Sequence, residues 1–248
     1  MTLVLPPGPL GPPGPAQYDW LFHFTGRPVG LAATPSLPGN IRDLHPAARL
    51  DNILWEERLR GFPPFSRPPV TSPMLSFAES PLPHVQWLIG QRQWPSWALV
   101  VSRQHIYDLG GGPALHARTP LYNTLSDEQR AWAVRLETNS ISRSDWLHER
   151  EWRLPVPPDQ PWLDLSPYPR PTPAAAVLLG DPNWQPSTRL APFRTGRFFN
   201  GETGEEVAGD HPNAHPYMEQ RWALPRIWPG LLKLYYNPQT GEIVPLAG

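Results

Sequence analysis

Cysteine is absent from the 248 residues, which excludes disulfides, thiolate nucleophiles and cysteine-ligated zinc together. Lysine is nearly absent too: Lys233 is the single one, so arginine carries almost all of the positive charge. Arginine forks suit planar carboxylates, phosphates and base edges. A formal net charge of −1 and a pI near 6.7 give no global pull toward nucleic acid or an anionic membrane, so such binding needs a local patch. No apolar run approaches the ~18 residues of a membrane span, and no basic-then-apolar leader opens the chain. The expectation is a soluble, cytoplasmic protein with no membrane partner.

Proline and tryptophan are abundant. The 37 prolines are about three times the usual ~5% and are spread along the chain, which predicts short elements joined by rigid connections and few long helices. With 12 Trp and 40% apolar residues, the chain can bury a sizeable core. Residues 1–16 form a Pro/Gly arm that is expected to be disordered. Residues 17–190 are expected to form the main domain, and 191–248 an accessory hairpin region packed on it.

Apolar runs predict buried strands at Tyr18–Thr25, Met74–Phe77, Trp97–Ser102 and Ala174–Leu179. Helices are predicted over Ala47–Arg60, with Gly61 just past the end, and from Pro81 to Ile89 with Ser80 as cap. Another is predicted from the capping-box spacing Ser126–Gln129 to Thr138. Gly110–Gly112 reads as a turn and Pro113–Arg118 as a strand. Two tail segments match each other: Phe198-Phe199-Asn200 through Thr203-Gly204 to Val207, and Tyr235-Tyr236-Asn237 through Thr240-Gly241 to Val244. An aromatic pair leading into an Asn…Thr-Gly turn predicts two β-hairpins.

The densest chemistry lies in Asp145–Pro155, which reads as one strand. Alternation sets Leu147, Glu149, Glu151 and Arg153 on one side, and His148, Arg150, Trp152 and Leu154 on the other. Two carboxylates aimed the same way repel, so either Arg150 and Arg153 neutralise them in a surface ladder or something binds there. His23 and Thr25 alternate to one face of the first strand and could present hydrogen-bonding groups to one ligand. His105, His116 and His148, with Asp108 or Glu149, are the residues from which a metal site would be built, although their spacing matches no metal motif. Gly110–Gly112 lacks the following helix and Lys of a phosphate cradle.

A first strand ending in His23-Phe24-Thr25 is followed by the helical Leu50-Asp51-Asn52-Ile53-Leu54, a Ser76-Phe77 strand and a late Arg150-Glu151-Trp152-Arg153-Leu154. Together these resemble the ADP-ribosyltransferase superfamily, and within it the DarT-type bacterial toxins that modify DNA bases. The Glu149-x-Glu151-Trp152-Arg153 segment is also similar to that of abortive-infection proteins. The resemblance spans roughly residues 20–155. Arg49 stands where DarT-type relatives carry Asn, and some twenty extra residues separate His23-x-Thr25 from the helix.

The resemblance implies an α+β fold with a split, mixed β-sheet, to which the proline content adds few short helices and the tail repeat adds accessory C-terminal hairpins. It implies NAD as substrate, engaged by His23 and Thr25, with Glu151 catalytic and Glu149 orienting a nucleic-acid base as acceptor. Phe24 and Phe77 would sandwich the nicotinamide, and Arg27, Arg49 or Arg67 would clamp the pyrophosphate. No metal is needed, because a carboxylate beside the ribose can stabilise an oxocarbenium-like centre. A role in phage defence, with an antitoxin partner, would follow. Two rivals remain: a non-catalytic protein-binding module that uses the tail hairpins, and a metal-dependent nuclease or hydrolase. A pocket joining His23 to Glu151 favours the transferase, and separation of the two favours the module.

Overall fold

The computed structural model describes residues 18–28, 38–64, 69–138, 143–144, 150–166 and 171–246. The expected arm at 1–16 lies outside them. The first strand, β1 (Trp20–Phe24), is followed by a single turn α1 (Gly39–Arg42) and by α2 (Pro46–Glu56). Pro46 occupies the first turn of α2, and His45 Nδ1 accepts from the Ala47 amide at 3.3 Å. The predicted helix is cut short at Glu57, whose left-handed φ of 50° ends it, and Arg58–Arg60 become strand β2. Gly61 is therefore no helix cap. A Cβ there would lie 2.5 Å from Val156 Cγ2 and 3.2 Å from the Met74 carbonyl, so glycine is needed for close packing.

Next come β3 (Met74–Ala78) and α3 (Leu82–Gly90). Ser80 does not cap α3: Pro81 holds that position without a side-chain bond, and the Ser80 hydroxyl is buried without a partner among the described residues. After β4 (Ala98–Ser102) comes a helix that the apolar pattern did not reveal, α4 (Arg103–Asp108), capped by the Ser102 hydroxyl. Gly110, at φ 91°, makes the turn into β5 (Gly112–Pro113) and β6 (Leu115–Arg118). Helices α5 (Thr119–Thr124) and α6 (Asp127–Ala131) follow, the latter with a complete capping box at Ser126 and Gln129. The helix predicted to run on to Thr138 stops at Ala131. Ala133–Thr138 is strand β7, paired with β6 and with β8 (Arg143–Ser144).

Of the predicted 145–155 strand, Glu151–Pro155 form β9. Arg150 breaks it with φ of 47°, and residues 145–149 lie outside the described ones. The chain continues through β10 (Trp162–Asp164), β11 (Ala174–Leu179), β12 (Arg189–Asn200), β13 (Glu206–Val207), β14 (Ala214–Ala223), β15 (Leu232–Asn237) and β16 (Glu242–Pro245).

One eight-stranded sheet dominates, in the order β16-β15-β11-β4-β1-β3-β9-β5. It is mixed: β11 and β15 are parallel, and its other neighbours are antiparallel. The protein is thus α+β with a large mixed sheet and few, short helices. Leu21, Leu75, Phe77, Leu99, Val101, Trp152 and Leu154 pack on one face with Leu50 and Leu54 of α2. Phe22, Ala98, Val100, Ala176 and Leu178 pack on the other with Val85 and Ile89 of α3. The second tail hairpin, β15–β16, belongs to this sheet. The first belongs to a separate three-stranded sheet, β13-β12-β14, so the expected accessory region at 191–248 is divided between the two.

Candidate functional site

Sheet order brings the three chemistry-bearing strands side by side as β1-β3-β9. Register then decides which side chains meet. Ser76 pairs with Arg153, Phe77 with Trp152 and Ala78 with Glu151. Because successive residues of a strand alternate faces, and Phe77 and Trp152 belong to the α2-side core, Ser76, Glu151 and Arg153 project to the α3 side. Leu21 is in the α2-side core while Phe22 and Phe24 pack with the α3-side cluster. His23 and Thr25 therefore share the α2 side with Phe77. The sheet lies between His23 and Glu151.

On the α2 side four of the predicted NAD-contacting residues, His23, Thr25, Arg49 and Phe77, lie together, but the polar atoms of the first three are engaged in the fold. The His23 ring stands edge-on to Phe77, with centroids 5.9 Å apart, and its Nδ1 lies 2.9 Å from the Ser76 carbonyl. A carbonyl only accepts, so Nδ1 carries the proton and Nε2 the lone pair. Burial pushes the His23 pKa below its ordinary 6.5, the bond to Ser76 partly opposes this, and the Arg49 charge adds to it. The Thr25 hydroxyl faces the carbonyls of Pro46 at 2.8 Å and Trp97 at 3.2 Å, tying the end of β1 to α2 and to the start of β4. Arg49 donates to the carbonyls of Thr25 at 2.9 Å and Arg42 at 2.6 Å. Its Nε is buried without a partner among the described residues, and burial lowers its pKa. Phe77 is 2% exposed and has no free ring face for a nicotinamide. Arg27 is exposed. Arg67, His148 and Glu149 lie outside the described residues.

On the α3 side Glu151 is clamped. Ser76 Oγ donates to its Oε1 at 2.7 Å, and Arg153 grips both oxygens at 2.9 and 3.3 Å. Arg153 itself is buried, and its Nη1 donates to the carbonyls of Ala131 and Ala133. The carboxylate thereby fastens β3 and β9 to the α6–β7 connection. Phe24 shares this face and packs on Trp94 at 4.9 Å between ring centroids.

A second carboxylate was not expected from the sequence. Glu79 is 5% exposed and accepts from Arg103 at 3.3 Å and from Trp152 Nε1 at 3.1 Å, with Arg150 Nη2 at 3.7 Å. The left-handed turn at Arg150 also presents its carbonyl to the Glu79 amide at 3.2 Å. Charged residues just past the ends of the apolar strands β3 and β4 were the available signal. Their proximity, with only β1 between those strands, was not legible.

Among the described residues no three His, Asp or Glu side chains converge as metal ligands. A cavity of about 150 Å³ is lined by Arg58, Arg60, Phe62 and Trp162, with none of His23, Thr25, Arg49, Glu79 or Glu151 in its wall, and is smaller than the ~300 Å³ and above typical of ligand pockets.

The three-stranded sheet is a different kind of surface. No residue of β12, β13 or β14 is buried. Trp222 is 70% exposed and Leu190 56%, and Phe193, Tyr217 and Met218 are also open. Pairing of Leu190 with Trp222 and of Arg194 with Met218 sets Leu190, Pro192, Met218 and Trp222 on one face together with Arg194 and Gln220. The base is held to α2 by Asp51, which accepts from Arg189 and from the Ser187 amide and hydroxyl, all within 2.8 Å. Comparison with protein-family models, curated proteins and solved structures returns no match to this chain.

Proposed function

We propose that this chain is a non-catalytic binding protein whose working surface is the β12–β14 arm. The single observation that carries the reading is the arm itself, which has no buried residue and carries a tryptophan that is 70% exposed. Large apolar side chains left exposed together in this way mark an interaction site. Separation of His23 from Glu151 supports the same reading, and so does the clamp that makes Glu151 a tie between β3, β9 and the α6–β7 connection.

A second reading is favoured by one observation, the cluster of His23, Thr25, Arg49 and Phe77 on the α2 side. In it the chain transfers ADP-ribose from NAD to a nucleic-acid base. Incubation with labelled NAD and DNA, RNA or protein acceptors separates the two readings. The binding protein transfers no label, and Glu151→Gln lowers its melting temperature. Label transfer by the wild type that is lost in a folded Glu151→Gln variant would establish the transferase.

A further inference from the structure

We infer that the partner of the arm is a second copy of this chain, joined edge to edge through β14 in antiparallel register about Gln220. The inference rests on the arm being the chain's binding surface. Among the described residues β14 is the terminal strand of its sheet, with β12 on one side and no strand on the other. Such an edge offers unpaired backbone groups to another strand. Proteins blunt such edges with proline, lysine or bulges. Along β14 the only proline is Pro216 and there is no lysine.

What singles out a second copy is the order of side chains Met218-Glu219-Gln220-Arg221-Trp222. Two copies related by a two-fold axis normal to the sheet keep each face on its own side, so only positions of equal parity can stand opposite. An axis through Glu219 sets glutamate against glutamate, and one through Arg221 sets arginine against arginine. The axis through Gln220 sets Glu219 opposite Arg221 twice and Met218 opposite Trp222 twice, with the Gln220 amides facing each other. Opposite charges and apolar pairs directly across a ladder are the stabilising combinations.

The same register places Tyr217 against Ala223, while Pro216 meets Leu224, beyond the end of β14 at Ala223. The residue without an N–H thus falls outside the ladder. Within one copy Arg221 already bonds Glu219 at 2.9 Å and lies over the Phe193 ring at 4.3 Å. Both charges are held on one face, and pairing extends them into a four-charge cluster. On the opposite face Leu190, Pro192, Met218 and Trp222 of the two copies flank the facing Gln220 amides.

Light scattering across a dilution series tests the pairing on the full chain. The wild type is expected at twice 28.0 kDa when concentrated, shifting to the single mass on dilution. Arg221→Glu alone and Glu219→Arg alone each set like charges opposite, and each is expected to be monomeric. An equimolar mixture of these two variants restores both opposite-charge pairs and is expected to dimerise, as is the double reversal. Three results would overturn the pairing: a monomeric wild type at every concentration, a dimer that survives either single reversal, and a mixture that stays monomeric. The binding-protein reading fails separately, by label transfer from NAD that depends on Glu151, whatever mass the chain has.

Discussion

The two copies of the tail repeat make the same turn in different surroundings. Asn200 Oδ1 accepts from the Glu202 amide at 2.9 Å, and Asn237 Oδ1 accepts from the Gln239 amide at 2.9 Å. The amides of Gly204 and Gly241 reach the carbonyls of Asn200 and Asn237 at 2.8 Å in both, with φ of 75° and 73°. Local chemistry is therefore equal. Surroundings are not: β15 lies against β11, five of whose six residues are buried, whereas β12 lies between β13 and β14 in a sheet without a buried residue. A hairpin motif specifies a turn. The aromatic pair is half-buried in both copies, and what differs is the strand that the hairpin lies against.

The sharpest way to break this contrast is to disturb the buried charges of the large sheet. Glu79→Ala leaves Arg103 buried and unpaired and is expected to cost about 3–5 kcal/mol in urea unfolding. Replacing Glu79 and Arg103 together by Met should recover most of that loss, since no lone charge remains. Deleting core volume comes next. Leu99→Ala, at a fully buried position of β4, is expected to cost ~2–5 kcal/mol, against within ~0.5 kcal/mol for Trp222→Ala in dilute protein. A comparable loss at Trp222 would mean that the arm is part of the core.

Titration of His23 gives a smaller effect. Its folded pKa is depressed, so the unfolded chain binds the proton first as pH falls. The corresponding stability is fully present above 6.5 and is lost as pH drops below it, through the folded value. His23→Asn keeps a donor near the Ser76 carbonyl and should flatten this acid limb of the stability profile. An unchanged limb would mean that another group sets it. Smallest is the turn itself. Gly241→Ala forces an alanine to positive φ and should lower global stability by about 1 kcal/mol, while Gly204→Ala, at the same φ in the arm, should leave the main unfolding transition unmoved.

Much of the large sheet was legible because its strands are short apolar runs: β1, β3, β4 and β11 fall within a residue or two of the runs Tyr18–Thr25, Met74–Phe77, Trp97–Ser102 and Ala174–Leu179 that predict strands. Errors came where a start signal carries no length. The Ser126 capping box is present, yet Trp132, Val134 and Leu136 follow at period two and belong to the turn and strand beyond it. A left-handed residue defeated two other expectations, at Glu57 and at Arg150, because neither is a glycine whose backbone freedom would announce it. The site was least legible. Which face His23 and Glu151 take depends on the pairing of β1 with β3 and of β3 with β9, a tertiary relation that alternation within one strand does not contain.

The claim that the arm is an uncovered element added to a self-sufficient sheet is tested most directly by amide hydrogen exchange in dilute protein. The account predicts that amides of β1, β4 and β11 exchange only through global unfolding, while those of β12 and β14 open with far smaller free energies. Arm amides that exchange as slowly as those of β4 would contradict it.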